Sequence, residues 1–207
     1  MIKEIHEQPK AVADTLNSVL HDGVIDLSDV GLSEEEIKNI SQIYIVACGS
    51  AYHVGMAAQY VLEDLARIPV RVELASEFRY RKPLLDKNGL AIIISQSGET
   101  ADSLAALREA KSKGVRTLGI VNVIGSSIAR EADKCLLHSG RTGNLRSDHQ
   151  GLQYAAGGCL SYWNPFRRSA GMHHQRRGGS LYKGVVKSFR KRSSGFWMKK
   201  TDPVAGQ

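Results

Sequence analysis

Residues 90–100 read Leu-Ala-Ile-Ile-Ile-Ser-Gln-Ser-Gly-Glu-Thr, an apolar run followed at once by hydroxyl, amide and glycine residues. The run from Leu90 to Ile94 has the length and β-branched content of a strand buried on both faces of a parallel sheet. Beyond Thr100, apolar side chains recur at helical spacing through Lys111. The stretch therefore predicts a central strand, a polar loop and a helix.

The same alternation continues on both sides of this stretch. It predicts further strands at residues 43–47, 70–74, 115–121 and 134–137, with helices through about residue 65 and over 126–131. The strand at 70–74 is the least apolar, so we expect it near an edge of the sheet. Strands that alternate with helices imply right-handed crossovers, so the fold class is α/β with a doubly wound, flavodoxin-like parallel sheet.

The residues before this sheet read as a helical lead-in over 1–40. Pro9 suits a first helical turn, and apolar residues from Val12 to Leu20 recur at helical spacing. Ser33 and Glu36 fit a capping box at the start of a short helix. The sequence thus divides into the lead-in, a sheet domain over 41–137 and a remainder over 138–207.

The remainder differs from the rest in both pattern and charge. Residues 1–137 hold 15 Lys and Arg against 19 Asp and Glu, a net charge of −4, whereas residues 138–207 hold 13 against 2, a net charge of +11. Helical and strand periodicity disappears after residue 137, and Gly, Arg, Ser and His accumulate. The pattern indicates an irregular basic tail, which leaves open a nucleic-acid-binding role.

Other features exclude several classes of protein. Cys48, Cys135 and Cys159 form no Cys-x-x-Cys spacing, which argues against a zinc site or a disulfide framework and favours the reducing cytoplasm. No apolar run is long enough to span a bilayer, so we expect no membrane partner. Dinucleotide and Walker motifs are absent from the sequence, and no cofactor or metal is expected.

Two polar loops follow apolar strands, where parallel sheets bind their ligands. One is the Cys48-Gly49-Ser50 loop, and the other runs from Ser95 to Thr100. Hydroxyls and free amides at helix starts can hold an anion, although Ser and Thr are also common helix caps. The candidate ligands of a phosphorylated small molecule are Cys48, Gly49, Ser50, Ser95, Gln96, Ser97 and Thr100.

Two further side chains near these loops have competing interpretations. Glu99 could contact a sugar hydroxyl or could complement the dipole of the helix that follows. His53 fits a satisfied residue of a helix better than a catalytic base.

Three stretches together resemble one family. Residues 47–52 (Ala-Cys-Gly-Ser-Ala-Tyr), 75–81 (Ala-Ser-Glu-Phe-Arg-Tyr-Arg) and 95–102 (Ser-Gln-Ser-Gly-Glu-Thr-Ala-Asp) are similar to the isomerase module of glutamine–fructose-6-phosphate aminotransferase. The resemblance covers residues 1 to about 137 and is to the first of that module's two sugar isomerase (SIS) domains. Ser50 replaces the family's usual threonine, and Ala51 stands where many members have serine.

The resemblance implies binding of fructose 6-phosphate or glucosamine 6-phosphate, in amino-sugar synthesis. It also implies that this chain has no catalytic residues, because the family's glutaminase domain and second SIS domain have no counterpart here. Whether any enzymatic activity remains is left open, and a homodimer is implied for the intact enzyme. A stand-alone phosphosugar-sensing module and a nucleic-acid-associated protein are the alternatives.

The genetic code offers an explanation of the tail. Codons for residues 138–151, read from their second nucleotide, permit the string T-P-A-G-P-E-I-C-V-A-T-T-K-A, which resembles the family's own continuation. We therefore expect a one-nucleotide insertion near codons 137–138, which would make the tail a frameshift product and the chain a fragment.

Overall fold

The computed structural model describes residues 20–21, 24–25 and 33–137. The strands over these residues are β1 Leu20–His21, β2 Val24–Ile25, β3 Ile43–Ala47, β4 Val70–Leu74, β5 Leu90–Ser95, β6 Arg116–Val121 and β7 Lys134–Leu137. The helices are α1 Glu34–Lys38, α2 Gly49–Ala66, α3 Ala75–Arg81, α4 Ala101–Ser112 and α5 Ser127–Glu131. The tail over 138–207, and the expectations that fall on it, lie outside the described residues.

Strands β3 to β7 form one sheet in the order β4-β3-β5-β6-β7, and every pairing in it is parallel. This order confirms the predicted doubly wound α/β fold. From β3 the chain continues to β4, which pairs with one edge of β3, and then to β5, which pairs with the other edge of β3. The topological switch point therefore lies between β3 and β5. The carboxyl ends of those two strands are where such a sheet binds its ligands.

Helices cover both faces of the sheet because successive side chains of a strand point to opposite faces. Ile43 and Ile45 of β3 pack in a core with α1 and α2, while Val46 packs on the other face in a core that includes Phe78 of α3 and Leu107 of α4. All the residues of β5 are buried. The central position predicted for this strand is confirmed, and so is the edge position of β4.

The predicted helical lead-in is correct in one part and wrong in another. Helix α1 begins at the predicted capping box, in which the Ser33 hydroxyl accepts from the Glu36 amide at 3.2 Å and the Glu36 carboxylate accepts from the Ser33 amide at 2.7 Å. Leu20 does not continue a helix, because it pairs with Ile25 in a two-stranded antiparallel sheet. The predicted helical residues 1–19 lie outside the described residues.

Helix α3 was not predicted from the sequence. Its buried residues, Ala75 and Phe78, are three apart and face the sheet. Glu77 lies in its first turn, and Arg79 and Arg81 lie in its last turn, which is the charge arrangement that a helix dipole favours. The spacing of its apolar residues and the placement of its charges were visible in the sequence, but this pattern spans only seven residues. This helix packs beside α4, the helix that follows the serine-rich loop.

Candidate functional site

The two predicted loops lie side by side at the carboxyl edge of the sheet. Ala47, the last residue of β3, pairs with Ile94 of β5, so Cys48, which follows β3, lies beside Ser95, the last residue of β5. The Ser103 hydroxyl in the first turns of α4 lies 3.6 Å from the Cys48 sulfur, within reach of a weak hydrogen bond. The structure therefore brings the loops together, as the strand pattern predicted.

The serine-rich loop is held by its own side chains. Ser95 is buried, and its Oγ atom lies 3.1 Å from the Oγ1 atom of Thr100 and accepts from the Gly98 amide at 3.1 Å. The exposed Ser97 accepts from the Glu99 amide at 3.2 Å. All three hydroxyls of this loop that were predicted as ligands thus also make hydrogen bonds within the loop, and Ser97 is the one most open to solvent.

Two helix N-termini face this edge without a side-chain cap. Thr100 caps α4 and Cys48 caps α2, and neither side chain makes a capping hydrogen bond. The first amides of a helix have no partner within the helix and carry a partial positive charge, so they attract anions. A Cβ atom built on Gly49, at the start of α2, would meet no described residue within 4 Å.

The remaining predicted residues occupy the same edge. Ser50 is half-buried in the first turn of α2, and Gln96 is half-buried with its carbonyl accepting from the Asn122 amide at 3.1 Å. The carboxylate of Glu99 accepts from the Ser127 amide at 2.7 Å. The helix whose N-terminal dipole this carboxylate complements is therefore α5, which follows β6. The exposed His53 lies on α2, with its ring packed edge-on against Tyr52.

Sequence reasoning missed a third loop at this edge. Residues 122–126 follow β6, which pairs with β5, and they read Asn-Val-Ile-Gly-Ser. Asn122 and Ser126 each carry a buried side-chain oxygen without a hydrogen-bond partner among the described residues. The signal was available, since this loop also places polar residues and glycine directly after an apolar strand.

Two clefts of the described part of the chain lie away from these loops. One of about 660 Å³ is at the opposite edge of the sheet, lined by charged residues such as Lys87, Lys111 and Arg116. The other, of about 500 Å³, runs along the edge strand β4. Neither of these two clefts is lined by residues of the two loops.

In the described ranges, no group of three His, Cys, Asp or Glu side chains is placed to hold a metal ion. Within those ranges, too, no helix has the length and apolar character needed to cross a membrane.

Fold and loops together define a doubly wound α/β domain with a candidate anion site at its switch point. The SIS domain family matches residues 36–142, and the chain belongs to this family. The glutamine–fructose-6-phosphate aminotransferase of Clostridium tetani is 58% identical over 137 residues, 66% of this chain and 22% of that protein. The chain thus spans about a fifth of the length of the curated relatives it matches.

Solved structures agree with this assignment. The C-terminal domain of the glucosamine-fructose-6-phosphate aminotransferase from Francisella tularensis superposes with a TM-score of 0.80 at 30% identity, covering 93% of this chain and 54% of that one. The NanR protein of Vibrio vulnificus, solved with ManNAc-6P, has a TM-score of 0.62 at 16% identity, covering 92% of this chain and 68% of its own. At that identity the likeness is one of fold alone.

Proposed function

We propose that the domain binds a sugar phosphate of the fructose 6-phosphate or glucosamine 6-phosphate type. The observation that carries the proposal is the uncapped N-terminus of α4, directly beside hydroxyl-bearing loops on two neighbouring strands. A phosphate there would receive hydrogen bonds from helix amides and hydroxyls without a dedicated lysine. The sugar would extend toward the loop after β3. The proposed ligand residues are Cys48, Gly49, Ser50, Ser95, Gln96, Ser97 and Thr100.

The relatives suggest the wider context of this site. They are aminotransferases whose name includes fructose 6-phosphate, and the chain matches 22% of their length. We propose that the domain corresponds to the first SIS domain of such an enzyme, that it supplies substrate binding in amino-sugar synthesis, and that this chain alone does not catalyse the reaction. The same proposal includes a cytoplasmic location and a homodimer of the intact enzyme. It does not include nucleic acid as a partner.

The proposal is tested by titrating fructose 6-phosphate into the 207-residue chain and into its Ser97→Ala variant. Because Ser97 is the most exposed hydroxyl of the loop, its loss should weaken binding by at least roughly tenfold, as for one hydrogen bond to a charged group. Ser112→Ala is the matched control, since that hydroxyl lies at the far end of α4 and donates to Glu109 at 2.8 Å. Failure of the parent chain to bind fructose 6-phosphate would refute the proposal.

Each of the two alternatives is separated from the proposal by a different observation. A stand-alone sensing module would bind the sugar phosphate with no glutaminase or second SIS domain encoded nearby. A nucleic-acid-associated protein would bind DNA or RNA with steep salt dependence through its basic tail, whose net charge is +11. Inspecting the neighbouring reading frames separates the first alternative from a broken gene.

We also propose that the tail arises from a one-nucleotide insertion near codons 137–138. The curated relatives align over 135 to 137 residues, which is the length that precedes this point. Resequencing the gene across this position tests the proposal. An intact frame, with codons that cannot yield the family-like string, would end it.

A further inference from the structure

The third loop at the site edge is joined to the serine-rich loop by two backbone hydrogen bonds. The Asn122 amide donates to the Gln96 carbonyl at 3.1 Å, and the Ile128 amide donates to the Gly98 carbonyl at 3.0 Å. The first bond lies at the start of the loop after β6, and the second lies just beyond the end of that loop. The backbone of the serine-rich loop is therefore braced by a loop that is more than twenty residues further along the chain.

The two loops are also in close contact between these bonds. A Cβ atom built on Gly98 would lie 2.5 Å from the Cβ of Ser126 and nearer still to its hydroxyl oxygen. Ser126 is only 2% exposed. A side chain at position 98 would therefore push the two loops apart.

Glu99 makes the remaining connection through its side chain. Its carboxylate accepts from the amide of Ser127, the first residue of α5, and the side chain of the capping residue Ser126 makes no hydrogen bond to any described residue. Arg130 donates to the Ser127 hydroxyl at 3.2 Å and to the Gly125 carbonyl, so the same short loop is held from its other side.

The charge on Glu99 fits this arrangement. Hydrogen bonds from the hydroxyl and amide of Ser127, together with the nearby charge of Arg130, lower the pKa of the Glu99 carboxyl. The carboxylate is thus ionised at neutral pH and already paired. Its Oε1 atom is therefore used by the Ser127 amide before any sugar binds.

We propose that Glu99 is a positioning residue for the phosphate-binding loop, which it fixes by binding the Ser127 amide across the edge of the sheet. The inference rests on the proposed function, because it assumes that the loop from Ser95 to Thr100 binds phosphate. Glu99 lies between the exposed Ser97 and the first amides of α4. Fixing its side chain limits the motion of both groups of donors and lowers the entropic cost of holding an anion.

A substitution at the partner residue tests this link without altering Glu99. Ser127→Pro removes the donated N–H, and proline suits the first position of a helix. Ser126, which precedes it, has φ −61° and ψ 161°, an extended conformation compatible with a following proline. Ser127→Ala is the matched variant, because it loses the hydroxyl but keeps the N–H.

Inorganic phosphate and fructose 6-phosphate are titrated into the full chain by NMR, which detects millimolar binding. We expect Ser127→Pro to weaken both ligands by the same factor, roughly three- to tenfold, and Ser127→Ala to bind both more tightly than Ser127→Pro does. Glu99→Ala should weaken both ligands equally, and Glu99→Gln, which keeps an acceptor oxygen, should restore most of the affinity. Thermal unfolding of each variant shows whether it is folded. If Ser127→Pro is unfolded, the comparison of Glu99→Ala with Glu99→Gln tests the inference.

Two results would overturn the inference. If Glu99→Ala weakens fructose 6-phosphate and leaves phosphate unchanged, Glu99 is a sugar contact. If neither ligand responds to Ser127→Pro or Glu99→Ala, the link does not position the loop. Absence of binding by the parent chain is a separate result, because it removes the proposed function itself.

Discussion

The Oγ atom of Ser95 lies 3.1 Å from the Oγ1 atom of Thr100, so the two ends of the serine-rich loop are joined by their side chains. Ser95 also accepts from the buried Gly98 amide. The same hydroxyl therefore serves the loop's structure before any ligand binds. Ser97, in contrast, is exposed.

This difference predicts opposite consequences for two serines that lie two residues apart. Ser95→Ala should lower the free energy of unfolding by about 1–3 kcal/mol, because the Gly98 amide is left buried and unpaired. Ser97→Ala should change it by less than about 0.5 kcal/mol and should act on ligand binding instead. Urea denaturation of both variants measures the contrast. Equal losses of stability would show that Ser95 has no special structural role.

Gly98 and Gly114 provide a second matched pair. Both have positive φ, +67° and +74°, so alanine is strained at either position. At Gly114 a Cβ would meet nothing within 4 Å, whereas at Gly98 it would clash with Ser126. We expect Gly114→Ala to cost about 1 kcal/mol from backbone strain and Gly98→Ala at least about 2 kcal/mol.

The double variant Gly98→Ala with Ser126→Gly isolates the clash from the strain. Removing the Ser126 side chain should recover the part of the loss that exceeds the Gly114→Ala value, as measured by urea denaturation in a double-mutant cycle. Additive losses in the cycle would mean that the two residues are not in contact.

The free energy of unfolding should decline in acid as the Asp133 carboxylate is protonated. Asp133 directly precedes β7, and its carboxylate accepts from the amide and the hydroxyl of Thr117 in β6. Burial alone would raise the pKa of its carboxyl, but hydrogen bonds from Lys111 and Thr117 outweigh this effect and lower the pKa. A lowered folded-state pKa contributes stability that is complete above the unfolded value, about 3.9, and is lost as the pH falls through the folded value.

We therefore expect the free energy of unfolding to fall below about pH 4, and to fall less steeply in Asp133→Asn, which cannot titrate. Denaturation series between pH 3 and pH 6 check this. Asp64→Asn is the control, because that exposed carboxylate pairs with Arg67 at 3.4 Å, at the end of its own helix. An unchanged acid slope in Asp133→Asn would assign the decline to other carboxylates.

Particular residues show how far the sequence could predict this domain. The strand ends at Cys48 and Ser95 were predictable, because each follows an apolar run and precedes a helical pattern. The bond from Ser127 to Glu99 was not, since it joins residues 28 positions apart and depends on how β5 and β6 pair. Local pattern likewise could not show that Ser95 and Thr100 bind each other, because many loop conformations keep their side chains apart.

Arg79 and Asp102 form an ion pair at 3.2 Å between α3 and the first turn of α4. The Asp102 carboxylate lies near the helix amides that are proposed to bind phosphate, so its charge opposes an anion unless Arg79 offsets it. Both side chains are partly exposed, which limits the effect. Arg79→Ala should weaken fructose 6-phosphate binding by about two- to fivefold at low salt.

Adding Asp102→Asn to Arg79→Ala should restore the affinity, because the unpaired negative charge is then removed. Raising the salt concentration to about 0.5 M should reduce the difference between Arg79→Ala and the parent, since exposed charges are screened over a few ångströms there. Arg67→Ala is the control, because Arg67 pairs with Asp64 at the far end of α2. If the double variant binds no better than Arg79→Ala, the arginine acts through packing, such as its contact with the Tyr80 ring at 5.2 Å, and charge compensation is the wrong explanation.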